Sequence, residues 1–428
     1  MHPSKETSMP RTTRRALGAL AASAAAVLAL SACSSSATGE SSDGDITLSY
    51  AIWDENQKPA MEDIAAAYTE EHPNVTIEIQ VTPYKEYFTK LQTAVTGGSA
   101  ADVFWMNGPN FQLYASNGQL APLDGVDASD YPQGLVDLYT YDGKLYGAPK
   151  DFDTVALWYN KALFDAAGVE YPSAGWTWDD FTAAAAKLTD PATGQYGIAA
   201  SQYGQENFYN SIAQAGGEVI SADGTESGYG SPEALEGIEL WTNLIADGSS
   251  PTAQQMTDTN PEDFFLSGKV AMFQNGSWAA IAYADNADIG GTVDVAPLPA
   301  GPEGNQSVIH GVGNVANAKS PHLDAAQDFA AFASGEQAAK IQAETGTVIP
   351  AFNGTQQAWV DALPQYDLQV YIDALDTAVP YPVSKNTSAW TNIESEVLSQ
   401  VWSGAVTPKD GLKDLAAQMQ TALDAEQE

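Results

Sequence analysis

Ile46-Thr47-Leu48-Ser49-Tyr50-Ala51-Ile52-Trp53 first alternates apolar and polar residues and then turns apolar, the pattern of a strand entering a buried sheet. Helical spacing follows it. Pro59 opens a segment with Met61, Ile64, Ala65 and Tyr68 on one face. Val75-Thr76-Ile77-Glu78-Ile79-Gln80-Val81 alternates strictly and predicts a second strand. Tyr84 to Thr96 predicts a helix stopped by Gly97-Gly98. Asp102-Val103-Phe104-Trp105-Met106 then predicts a short buried strand. Strands separated by crossover helices pair in parallel, so the chain is of the α/β class.

The second half keeps this style. Ser231-Pro232, Ser320-Pro321 and Thr407-Pro408 each place a capping hydroxyl before a proline suited to the first helical position. The apolar stripes behind them (Ile238 and Trp241, Phe329 and Phe332, Leu415 and Met419) read as core. No internal repeat of fixed period is present. The length suggests two domains.

Outward from this body, the N-terminus has another character. Arg11, Arg14 and Arg15 precede an apolar run from Ala16 to Leu30, and Leu30-Ser31-Ala32-Cys33 closes it. Basic segment, apolar core and small-residue cleavage site make a secretory leader, expected over residues 1–32. Its core of about 15 residues falls short of the ~20 that span a bilayer. The cysteine at the cleavage point resembles the lipobox of bacterial lipoproteins, which implies lipidation of Cys33. A plain signal peptide or a short membrane anchor is the competing reading, and Met1 and Met9 are both possible starts. Residues 33–44, rich in serine and glycine, read as a flexible tether. One lipid on a tether gives a protein anchored to the membrane's outer face, not one that spans it. Cys33 is the only cysteine, so the fold uses no disulfide.

The formal net charge of −38 argues against nucleic acid and anionic lipid as partners. All three arginines lie in the leader, so every strong cation beyond it is a lysine. Arginine is the usual fork for carboxylates and phosphates. A site built without it is expected to hold a neutral ligand, although a lysine or a helix N-terminus could substitute.

Four stretches, in order, carry a family resemblance. They are Ala101-Asp102-Val103-Phe104-Trp105; Tyr146-Gly147-Ala148-Pro149 running to Leu157-Trp158-Tyr159-Asn160-Lys161; Trp176-Thr177-Trp178-Asp179-Asp180-Phe181; and Gly268 to Trp278. Together they resemble the extracellular solute-binding proteins of ABC sugar importers, the maltose-binding-protein-like group. The resemblance implies a two-lobed fold of type II, with ligand in a cleft between α/β lobes joined by hinge strands. It implies lobe 1 at 45–152 and 310–353, and lobe 2 at 153–309 and 354–428. A carbohydrate, most readily an oligosaccharide, is the implied ligand, and membrane permease subunits are the implied partners of a monomeric receptor without cofactor or metal.

Saccharide hydroxyls want carboxylates and amides, and C–H faces want flat rings. Ligands in open α/β sheets sit beyond the C-terminal strand ends. Trp53, Asp54 and Asn56 follow the first strand and Asn107 ends the third, so they are candidates. Asp151 and Asp153 lie at the first implied crossing. Trp278 and Trp390 match positions where sugar-binding relatives place stacking rings. Asn275, Tyr203 and Phe352 complete the set. The loop Trp53-Asp54-Glu55-Asn56-Gln57 departs from the family's pattern, which leaves the sugar open. Thr154, His310, Gly311, Gly313 and Gly354 are the expected hinge positions, because glycines absorb backbone change; ordinary turns would use them equally.

Enzyme motifs are missing: no Gly-x-Ser-x-Gly, phosphate loop, His-Glu-x-x-His or Cys-x-x-Cys occurs. A secreted glycoside hydrolase, needing only two opposed carboxylates, and a binding protein for a non-sugar solute are the alternatives. An adhesin would show repeats or sandwich-like strand spacing. The acidic loop Asp124 to Asp130 matches no calcium motif.

Overall fold

The computed structural model describes residues 44–427, so the leader, Cys33 and nearly all of the tether lie outside the described residues. The strands are β1 (Ile46–Ile52), β2 (Val75–Val81), β3 (Val103–Asn107), β4 (Leu120–Ala121), β5 (Thr140–Tyr141), β6 (Lys144–Leu145), β7 (Gly147–Asp153), β8 (Val155–Asn160), β9 (Tyr196–Ile198), β10 (Val270–Gly276), β11 (Val293–Ala296), β12 (Val308–Asn317), β13 (Ile349–Pro350) and β14 (Val379–Pro380).

Two main sheets form. The first runs β13-β7-β12-β3-β1-β2, with β4 and β14 also on β12, and the second runs β11-β8-β10-β9. β1 pairs in parallel with β2 and β3, as crossover helices require. Those helices are Lys58–Glu71, burying Met61, Ile64, Ala65 and Tyr68, and Tyr84–Gly97, ended by Gly98 at φ 71°. The fold is therefore α/β and two-lobed, one sheet to a lobe.

The cores explain how the lobes are joined. One cluster covers the first sheet with Tyr50, Trp105 and Phe329; another covers the second with Phe181, Trp241 and Leu415. A third is shared: Phe152 and Ile349 of the first sheet pack with Trp158 and Phe273 of the second. Each fully buried large side chain contributes about 1.5–3 kcal/mol. The chain changes sheet at Thr154, between β7 and β8, and returns between β11 and β12.

Caps follow the sequence in two of three cases. Ser231 accepts from the Ala234 N–H, and Thr407 from Asp410. Ser320 does not cap. Its hydroxyl donates to Asp102 at 2.6 Å, and the helix begins later, at Leu323.

Candidate functional site

Three chain segments that leave the C-terminal ends of β1, β2 and β3 come together. Trp53, following β1, is half-buried and meets Tyr84, Tyr87 and Trp105 edge-on at 5.6, 5.0 and 5.0 Å. Tyr84 opens the helix after β2 and is 54% exposed. Asn107, at the end of β3, is buried; its amide donates to the Tyr84 hydroxyl at 3.1 Å and accepts from Asn110 at 2.8 Å. It orients Tyr84 rather than facing the cleft openly. Asp54 accepts from the Asn56 N–H and from Gln57 Nε2, both at 2.9 Å, which folds the loop into a tight turn. Asn56 itself is exposed.

The second lobe supplies the facing groups. A wide turn over Gly204–Phe208 carries Gln205 and Glu206, and Gln205 reaches Asp153 Oδ1 at 2.5 Å. Asp153 also lies 3.7 Å from His310 Nδ1, its partner across the β7–β12 ladder. His310 Nε2 accepts from the Gly108 N–H at 3.2 Å, and its ring stands 5.1 Å from Tyr381. Burial pushes the Glu206 carboxyl up to about 7; Asp153 and Glu262 add repulsion, while its own backbone N–H and His310 oppose. The Tyr84 phenol is raised by surrounding atoms first, with Glu206 and Asp153 adding and Asn107 opposing. The Tyr84 ring is thus half exposed and yet near carboxylates from across the sheet junction. Among the described residues no lysine pairs with Asp153, Glu206 or Glu262.

Trp278 sits in the turn after β10, partly buried, with its ring over Gly276. Tyr203, 38% exposed, starts the Gly204 turn. Phe352 is half-buried against Tyr131 at 5.7 Å.

Several expectations need correcting. Trp390 is 0% exposed, its indole donating to Ser384 inside the core of the second lobe, so it offers no face to a ligand. Asn275 is buried, and its amide is used on Glu262, Tyr283 and the Gly276 N–H. Asp151 does not face the cleft: one oxygen accepts from the Val312 N–H and the other from Lys150. Burial raises its carboxyl, against the pull of Lys150. Gly311 and Gly313 sit mid-ladder in β12, where a Cβ would meet Asp151 O at 2.4 Å and the Tyr139 ring at 3.0 Å. Close packing, not hinge freedom, requires them. Gly354, at φ 85° with open space around it, is an ordinary turn glycine. Thr154 is buried, tied to the Tyr371 carbonyl at 2.8 Å. In the acidic loop, Asp127 is spent on Ser129.

Tyr84, Gln205, Glu206, Glu262 and Tyr381 were not singled out from sequence. Tyr84 was within reach, since it follows the second strand as Trp53 follows the first. The others lie in segments too short for a periodic signal: Gln205 and Glu206 in the Gly204–Phe208 turn, Glu262 in the one-and-a-half-turn helix Pro261–Leu266, and Tyr381 just after β14.

The model of the bacterial extracellular solute-binding protein family matches residues 53–340. Binding proteins of Brucella abortus and Brucella suis are 28% identical over 269 residues, 61% of this chain and 64% of theirs, so the chain spans just under two thirds of those relatives. A maltodextrin-binding protein of Bacillus subtilis is 27% identical over 396 residues, 89% of this chain and 91% of that protein. The structure of an ABC substrate-binding protein from Listeria monocytogenes in complex with cycloalternan superposes with a TM-score of 0.82 at 31% identity, covering 89% of this chain and 99% of that one. The chain belongs to the bacterial extracellular solute-binding protein family.

Proposed function

We propose that the chain is the substrate-binding receptor of an ABC importer, capturing an oligosaccharide without anionic groups by closure of its lobes. The observation that carries this reading is the meeting, across two lobes, of an aromatic wall and a polar edge. Trp53 and Tyr84 offer faces to sugar C–H surfaces, and Asp153, Gln205 and Glu206 offer acceptors and a donor to hydroxyls. The lack of arginine beyond the leader supports exclusion of anions. The maltodextrin and cycloalternan proteins among its relatives support a saccharide. Trp278 is assigned to stacking from the second lobe, and Tyr203 to the cleft's edge.

In this reading the lobes keep the expected bounds except at their junction, where Asp153 and Val308 belong to first-sheet strands β7 and β12, and the chain crosses between the lobes at Thr154. Cys33 carries the lipid that tethers the receptor, a monomer, outside the membrane beside its permease. No helix among the described residues is long and apolar enough to cross a membrane. The receptor performs no catalysis, and a separate nucleotide-binding subunit drives transport.

A thermal-shift panel of about 50 saccharides tests the ligand class, because a ligand that binds only the folded form raises Tm by mass action. One or more oligosaccharides should raise it. A rise with an amino acid or peptide and with no sugar would overturn the assignment, as would turnover of aryl glycosides.

A further inference from the structure

β7 carries one residue more than its ladder uses. Asp151 pairs with Val312 and Pro149 with Gly313, so Lys150 has no partner on β12 and the strand bulges there. Bulges re-aim side chains, often beside functional sites. This one places Lys150 in the interior, 0% exposed. Its ammonium donates to Gln57 Oε1 at 2.8 Å and Gln342 Oε1 at 3.2 Å, pairs with Asp151, and stands 4.3 Å from the centre of the Trp105 ring.

Two of these partners continue to the cleft. Gln57 Nε2 donates to Asp54 Oδ2 at 2.9 Å, and Trp105 packs edge-on against Trp53 at 5.0 Å. We infer that Lys150 is a positioning residue for the Trp53–Gln57 loop, holding Asp54 through Gln57 and Trp53 through Trp105. The inference rests on the reading of that loop as ligand-binding.

The chemistry is directional. An amide has one acceptor end and one donor end. With the Gln57 oxygen committed to an ammonium, its NH₂ must face Asp54. Were residue 150 apolar, the amide could turn its oxygen toward the Asp54 carboxylate and push the loop away. Stability alone does not call for a lysine here, since apolar residues of similar volume commonly replace buried ion pairs without loss. The ammonium's three donors are all used, and the Trp105 face adds a cation–π contact. What the group adds is a single arrangement of the loop above it.

The test is Lys150→Met/Asp151→Asn, which removes both buried charges together, studied as intact protein labelled with 5-fluorotryptophan. Trp53→Phe assigns the Trp53 fluorine line. That line should split or broaden in the double variant, with affinity for maltotetraose or cycloalternan falling about tenfold or more while the fold persists. An unmoved Trp53 line with unchanged affinity would overturn the inference. If the unaltered protein binds neither sugar, the ligand reading suffers, but the fluorine spectrum still decides the role of Lys150. Gln57→Met leaves the ion pair in place and cuts only the relay, so it decides the matter even if the double variant does not fold. A sharp, unshifted Trp53 line together with unchanged affinity in that variant would refute the positioning of the loop through Gln57.

Discussion

The Trp278 ring lies so close over Gly276 that a Cβ at position 276 would stand 1.8 Å from its Cζ3. No flexible end can yield there, because the ring itself is the neighbour. Gly276→Ala should therefore cost about 1–3 kcal/mol, as overpacking does. The same change in a Trp278→Ala background should cost much less. Urea unfolding of the two singles and the double measures the coupling; simple additivity would contradict the packing described.

Tyr84→Ala should separate binding from stability. The ring is half exposed, so its loss removes about 1 kcal/mol or less of aromatic packing. Saccharide affinity, measured calorimetrically, should fall about tenfold or more. Trp278→Ala should likewise lose affinity without unfolding. Unchanged binding in either variant would remove that ring from the site.

Glu394 gives the pH dependence a sign. Burial pushes its carboxyl up to about 7 from an ordinary 4.5, even though the hydroxyls of Tyr229 and Tyr209 donate to it and pull it down. A raised value in the folded state means the fold holds this proton longer than the unfolded chain does. The stabilisation is complete below pH 4.5 and is lost as pH climbs through about 7. Glu206 acts in the same direction. Tm should therefore fall between about pH 5 and pH 7.5, and Glu394→Gln should flatten part of that fall. A wild-type Tm that rises across this window would refute the assignment.

Gln205→Ala should loosen the junction between the two sheets, because Gln205 is the donor to Asp153, the last residue of first-sheet strand β7. Small-angle scattering should report a larger radius of gyration for the unliganded variant than for the wild type. Equal radii would mean that this bond does not hold the lobes.

Cys33→Ala should move the protein from the membrane fraction to the medium, still folded and still able to bind. Retention at the membrane would show that the anchor is something other than this cysteine.

Much of the fold was legible because its signals are local. The alternation in Val75–Val81 and the helix stripe from Met61 to Tyr68 each report a single element facing one core. The proposed cleft was legible only where a strand end marks it, as at Trp53. Trp278 and Trp390 looked alike in sequence, but one lies over a glycine in a turn and the other is sealed in a helix. Asp151 and Asp153, two residues apart in one strand, differ because a bulge at Lys150 ties one to a buried ammonium and leaves the other near the lobe junction.

The sequence by itself determined the α/β class, the family and the absence of arginine after Arg15. Each of these depends on composition, periodicity or a contiguous motif. Tertiary structure alone decided which polar groups meet and which partner each one has. Gln205 meets Asp153 from 52 positions away, and Lys150 reaches Gln57 across 93. No local pattern encodes such meetings, because which partner satisfies a buried donor is settled only when the sheets and helices have packed.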